Sequence, residues 1–111
     1  MKQGEVKLYN KRVGVITQTD NGFEFSYDAG YASVQTNEPV SLSFPLRLEA
    51  YKSSVLFPFF DGLIPEGWLL DIAQRNWKIN PHDRMELLLT CCKDCLGAVS
   101  VERIEEEGNE K

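Results

Sequence analysis

The residues of this chain that could do chemistry are three cysteines, one histidine and a short series of carboxylates. Cys91-Cys92-Lys93-Asp94-Cys95 contains a C-x-x-C pair. Redox use would need a nucleophilic thiolate near a helix N-terminus, where the dipole lowers its pKa. The periodicity upstream puts these cysteines at a helix C-terminus instead. A structural zinc site usually takes four N or S ligands; the chain offers the three cysteines and His82, nine residues upstream. The plainer reading is small buried hydrophobes at a helix end, with metal or redox chemistry as the alternative.

His82 as a general base would need an orienting carboxylate and a nucleophile in reach. Asp83 is its sequence neighbour, which on a helix points elsewhere, so His82 reads as an exposed first-turn residue. Asp61, Glu66 and Asp71 form a carboxylate series, and paired carboxylates can do acid–base work. Glu66 and Asp71 are already accounted for by helix-start and solvent-face positions. The chain has no G-x-S-x-G elbow, P-loop or dinucleotide fingerprint. The residues therefore point to a non-enzymatic protein with no cofactor.

At 111 residues, with 42% hydrophobic and 26% charged, the chain fits one ordinary globular domain. Its net charge of −5 and singly scattered Lys and Arg argue against direct nucleic-acid binding. No basic amphipathic helix suggests a membrane surface, and no apolar run approaches the roughly 20 residues of a membrane span. Met1-Lys2-Gln3-Gly4-Glu5-Val6 lacks the apolar core of a signal peptide, and three bunched cysteines are no disulfide framework. The expected compartment is the cytoplasm.

The elements that would position any site begin with strands. Val6, Leu8, Val13 and Val15 alternate, with Ile16 out of phase and Asn10-Lys11 as a two-residue turn. Asp20-Asn21-Gly22 is a second turn, with Asn-Gly suited to a type I′ geometry. Phe23, Phe25 and Tyr27 follow at period two, completing an antiparallel meander. Tyr31–Val34 reads as a short strand and Asn37-Glu38-Pro39 as a turn. Ser41–Leu46 alternates until Pro45, which bars a central strand, and 47–54 reads as a polar loop.

After Pro65 the period becomes helical. Trp68 and Ile72 share one stripe; Leu69, Ala73 and Trp77 share its neighbour. Asn80 as N-cap, Pro81 at N1 and Asp83 at N3 start another helix, with Met85, Leu88, Leu89 and Cys92 as its apolar face. Gly97 stops it, and Ala98–Val101 returns to strand alternation. The expected architecture is α+β: a small antiparallel sheet, meander plus C-terminal strand, with two to three helices packed on it. Residues 1–104 form one domain, and the acidic 105–111 form a frayed tail.

The densest stretch runs from Leu56 to Asp71, with three of the six Phe, two of the five Pro and one of the two Trp. Pro58 opens a short turn and Pro65 a longer helix, each at N1, with Glu66 near the positive dipole end. Gly62 and Gly67 permit close approach or special turn angles. This makes a compact apolar corner. Trp68 within it is either a core residue or an interface anchor, since Trp supplies large buried area at small entropy cost.

Pro58-Phe59-Phe60-Asp61-Gly62-Leu63-Ile64-Pro65-Glu66-Gly67-Trp68 resembles the P-F-F-(D/E)-(G/N)-L-L-P-E-G motif of the N-terminal subdomain of HipA-type serine/threonine kinase toxins. Asp94-Cys95-Leu96-Gly97-Ala98-Val99 is similar to its second signature, D-(C/T)-(I/V)-G-A-(V/L). Val6–Asn10 with Val13-Gly14-Val15, and Phe23–Tyr27, match its first hairpin and third strand, so the resemblance covers roughly residues 5–104.

In that family the subdomain precedes a kinase, whereas these 111 residues hold no Gly-rich phosphate loop, Asp-x-x-x-x-Asn segment or magnesium-binding Asp motif. The resemblance implies a detached, HipS-like subdomain of three-gene HipBST operons. Such antitoxins bind a shortened HipA-like kinase (HipT), while a HipB-like protein supplies DNA binding. It further implies docking on the kinase N-lobe near the nucleotide site through Phe59, Phe60, Asp61, Leu63, Ile64, Pro65, Glu66 and Trp68, with Trp68 as the wedge. The alternative is a non-catalytic subunit that completes or scaffolds a split kinase and contributes to autoregulation with HipB. A kinase assay separates these two; metal analysis and thiol titration test a cysteine-based enzyme.

Overall fold

The computed structural model describes residues 2–64, 83–91 and 98–104. Strands β1 (Gln3–Leu8), β2 (Lys11–Thr19) and β3 (Gly22–Tyr27) form the expected meander. Helix α1 (Ala29–Ala32), strand β4 (Tyr51–Ser53), helix α2 (Pro58–Asp61), helix α3 (Arg84–Cys91) and strand β5 (Val99–Arg103) follow. The five strands form one antiparallel sheet in the order β4-β3-β2-β1-β5. This is the expected α+β domain, with helices on a sheet closed by the C-terminal strand. The helix expected from Pro65, the cap Asn80-Pro81, the stop at Gly97 and the tail 105–111 lie outside the described residues.

Register explains the inner face. Val6 pairs with Val101, Leu8 with Val99 and Ile16 with Phe25, and all six side chains are buried. Cross-strand neighbours share a face, so each pair buries two apolar groups together. The opposite face is polar. Glu5 and Glu102 face one another there, and Lys7 bridges them at 3.6 and 2.8 Å.

The phase of β2 differs from the alternation read off its residues. Val6 pairs with Gly14 but Lys7 with Arg12, leaving Val13 as an extra residue. This bulge shifts the inward set by one. Gly14 and Ile16 therefore point inward, Val13 is buried at the bulge, and Val15 is only half-buried. Gly14 leaves no room for a side chain, since a Cβ would sit 2.4 Å from the Ser26 carbonyl oxygen.

Both hairpin turns also depart from expectation. The first is Tyr9-Asn10, one residue earlier than Asn10-Lys11, with φ of 52° and 68°; Leu8 and Lys11 pair around it. Two positive φ values are the mark of the I′ geometry that matches strand twist. In the second, Asp20 and Asn21 keep negative φ and only Gly22 is positive, at 150°, so this turn is not type I′.

Between β3 and β4 the chain is largely irregular. The strand expected at Tyr31–Val34 is instead the one-turn α1, closed by Tyr31 and Ala32 N–H groups donating to the Asp28 carbonyl. The expected loop at 47–54 contains β4, a three-residue edge strand too short for its alternation to stand out. Backbone outside the ladder must find partners elsewhere, and three tyrosines supply some of them. Tyr27 Oη accepts from Val40 N–H at 3.0 Å and donates to the Phe44 carbonyl at 2.5 Å. Tyr31 and Tyr51 hydroxyls donate to the Glu38 and Pro45 carbonyls. Burial pushes the Tyr27 phenol up to about 12, so it keeps its proton.

Helix α3 packs on the sheet beside β5. Its expected apolar face, Met85, Leu88 and Leu89, is buried, and so is Leu87, so α3 is covered on more than one stripe. Asp83 acts as its cap: the carbonyl accepts from Leu87 N–H at 3.1 Å and the carboxylate from Glu86 N–H at 3.0 Å. That pattern defines an N-cap, three residues after the cap expected at Asn80. Lys2 pairs with Asp83 at 2.5 Å and Glu86 at 3.4 Å, and Arg103 pairs with Glu86 at 2.5 Å. These pairs tie α3 to β1 and β5.

Two glycines should respond oppositely to alanine. Gly22 has positive φ, and a Cβ there would meet the Ser53 carbonyl oxygen at 2.2 Å; Gly22→Ala is expected to destabilise by about 1–3 kcal/mol. Gly30 lies in α1 with nothing within 4 Å of its virtual Cβ, so Gly30→Ala should stabilise by about 0.4–1 kcal/mol. Urea midpoints read both.

Burial pushes the Asp83 carboxyl up, but the Lys2 hydrogen bond, the Glu86 N–H and the charges of Lys2 and Arg103 outweigh it. They hold it below the ordinary 3.8. Burial pulls the Lys2 ammonium down, and its hydrogen bond and charge pairing with Asp83 and Glu86 outweigh that, holding it above 10.5. A depressed carboxyl stabilises above its unfolded pKa, and that stability is lost as pH falls through the folded value. A raised ammonium stabilises below its unfolded pKa, and that stability is lost as pH rises through the folded value. Asp83→Asn keeps the cap and removes the charge. It should lower the urea midpoint at neutral pH and make the acid-side fall below about pH 4 shallower.

Candidate docking surface

The apolar corner folds as one self-bonded turn. Pro58 sits at N1 of α2, where no N–H is needed. Asp61 N–H donates to the Phe57 carbonyl at 2.9 Å and Gly62 N–H to the Pro58 carbonyl at 2.9 Å. Leu63 and Ile64 N–H groups then donate to the Phe60 and Asp61 carbonyls, carrying the helical spacing past Gly62. Gly62 itself has φ of −70°, an ordinary helical value, so the special backbone freedom expected of it is not used.

This spacing sorts the expected contact residues. Phe57, Phe60 and Ile64, spaced three and four apart, share one stripe and are buried. Phe59 and Leu63, four apart, occupy the next stripe; both are half-buried and pack on the core. Phe60 is fully enclosed and Ile64 nearly so; these two, expected as docking contacts, are core residues. They set the shape of the corner, and Phe59 and Leu63 give it a partly exposed apolar surface. The three-and-four spacing is present in the sequence, within a motif that reads as one block until the two stripes are separated.

Asp61 is half-exposed and bonds Arg84 of α3, with Nε–Oδ1 at 2.6 Å. It therefore fastens the corner to α3, and its charge is largely committed. Pro65, Glu66 and Trp68 lie outside the described residues.

Packing fixes how this surface is presented. Phe60 lies 5.3 Å from Phe25 of β3 and 5.6 Å from Phe44, centroid to centroid. Phe59 stands edge-on to Phe44 at 6.0 Å and to Phe60 at 5.2 Å. A ring half in the core and half out is held in place, so little rotamer entropy remains to be lost on binding.

Cys91 is the last described residue of α3. His82, Cys92 and Cys95 lie outside the described residues, and no group of three His, Cys, Asp or Glu side chains able to hold a metal occurs among those described. A groove of about 510 Å³ is lined by Lys2, Gln18, Phe23, Val55, Arg84 and Met85, among others. Its two cations are already engaged, Lys2 by Asp83 and Arg84 by Asp61. No described helix is long and apolar enough to cross a membrane.

Comparison with known proteins bears on this geometry directly. Residues 4–102 match the HipA N-terminal domain family. A relative from Haemophilus influenzae (strain ATCC 51907 / DSM 11121 / KW20 / Rd), an uncharacterized protein, is 35% identical over 102 residues, covering 92% of each chain. A solved structure described as the N-terminal domain of HipA toxin superposes with a TM-score of 0.74 at 33% identity, covering 96% of each chain. With a family match across residues 4–102 and a fold that superposes on that structure over nearly its whole length, this chain belongs to the HipA N-terminal domain family.

Proposed function

We propose that this chain is a non-catalytic, cytoplasmic antitoxin of the HipBST kind. It binds and inhibits a HipA-like serine/threonine kinase (HipT) that lacks this domain, docking on its N-lobe near the nucleotide site. One observation carries the reading: residues 4–102 match the HipA N-terminal domain family. The Haemophilus influenzae relative, covered over 92% of its own length, is itself domain-sized, which fits a family that includes detached members.

Docking has a physical rationale in the corner. A domain that covered a kinase in cis would keep an apolar face after separation, and Phe59 and Leu63 supply one. Trp68, four residues beyond Ile64 and flanked by Gly67, is the wedge that keeps the kinase phosphate loop from its catalytic arrangement. A HipB-like protein completes the complex and supplies DNA binding, for which this acidic chain (net charge −5) has no basic patch in its sequence.

The test is autophosphorylation of a purified HipA-like kinase lacking its own N-terminal domain, with and without this chain. Inhibition at stoichiometric addition is expected, and stimulation would establish the scaffolding alternative instead. Trp68→Ala should weaken the complex by about 2–4 kcal/mol, roughly 30- to 1,000-fold. A folded Trp68→Ala chain that inhibits undiminished removes Trp68 from the interface.

A further inference from the structure

The segment Ser41–Leu46 alternates like a strand, which would put Val40, Leu42, Phe44 and Leu46 on one side. The structure breaks that pattern. Val40 and Phe44 are buried, yet Leu42 between them is 97% exposed. The chain turns here, with Phe44 N–H donating to the Ser41 carbonyl at 3.0 Å and Ser43 N–H to Ser41 Oγ at 3.1 Å.

This turn is clamped on both sides. The single hydroxyl of Tyr27 bonds Val40 on its near side and Phe44 on its far side, and both flanking side chains are anchored in the core. A leucine displayed on so constrained a turn has already lost most of the backbone freedom that association would otherwise remove. Residues 39–46 carry no charge, so the turn can approach an apolar pocket without desolvating an ion.

The turn is also continuous with the corner. The Phe44 ring, two residues from Leu42, packs edge-on against both Phe57 and Phe59. We infer that the docking surface extends from Phe59 onto this Tyr27-clamped turn, and that Leu42 is a second anchor seated in an apolar pocket of the same kinase partner. This inference rests on the antitoxin reading and adds to it a contact site in a separate segment of the chain.

Its test uses the full chain and the same purified kinase, with affinity read by titration calorimetry and folding by the urea midpoint. Leu42→Asp and Leu42→Ser should each weaken binding about tenfold or more with the midpoint unchanged, because the side chain is in solvent. Tyr27→Phe, which frees the turn, should weaken binding by a smaller factor and lower the midpoint. Tyr9→Ser, at a 65% exposed tyrosine on the β1–β2 turn, should leave affinity unchanged. Full affinity in both Leu42 variants, or an equal loss from Tyr9→Ser, overturns the assignment while leaving the antitoxin reading intact. No binding by the unmodified chain overturns the antitoxin reading, and this inference with it.

Discussion

Three phenylalanine rings from three unlike segments meet at one point: Phe25 of the sheet, Phe44 of the irregular segment and Phe60 of the corner. Their centroids lie 5.1, 5.3 and 5.6 Å apart, and all three side chains are buried. Such pairs add about 0.5–1.5 kcal/mol each beyond the area they bury. The contact matters because α3 covers the sheet on the β1–β5 side, leaving β3 and its short partner β4 to be covered by something else. Aromatic side chains from residues 44–60 do this, with Tyr51 and Phe57 packing around the same rings.

Covering a sheet with irregular chain raises the problem of backbone polar groups that have no ladder. The domain solves it with tyrosines whose rings pack inward and whose hydroxyls reach the Val40, Phe44, Glu38 and Pro45 backbone. A Phe at position 27 would fill the same space and leave a buried N–H and C=O without Tyr27 as partner, a cost of about 1–3 kcal/mol for each group left unpaired. The irregular segment is thereby held to one conformation without regular secondary structure. The same restraint turns Leu42 outward and leaves Phe59 half in and half out, so the packing that stabilises the fold also shapes its apolar surface.

Ion pairs play a smaller part. Lys2, Asp83, Glu86 and Arg103 link β1, α3 and β5, and Arg12 joins Glu5 to Asp28. These groups are partly solvated, and such pairs contribute little individually. Their value is positional. Asp83 both caps α3 and holds Lys2, which sets where that helix starts relative to the edge of the sheet.

The sequence by itself determined the meander, the closing strand, the Pro58 turn and most of the α3 face, because turn residues, period-two runs and helix-start prolines act locally. It also carried the family motif. It did not determine which apolar residues of a run face in. The bulge at Val13 exchanged Val15 for Ile16, the three-and-four spacing of the corner buried Phe60 and Ile64 while leaving Phe59 at the surface, and β4 was too brief to read. Only the tertiary structure decided that Leu42 faces solvent, since the hydroxyl that fixes its turn comes from Tyr27, far back along the chain. A local pattern holds no information about a hydrogen bond supplied from that distance.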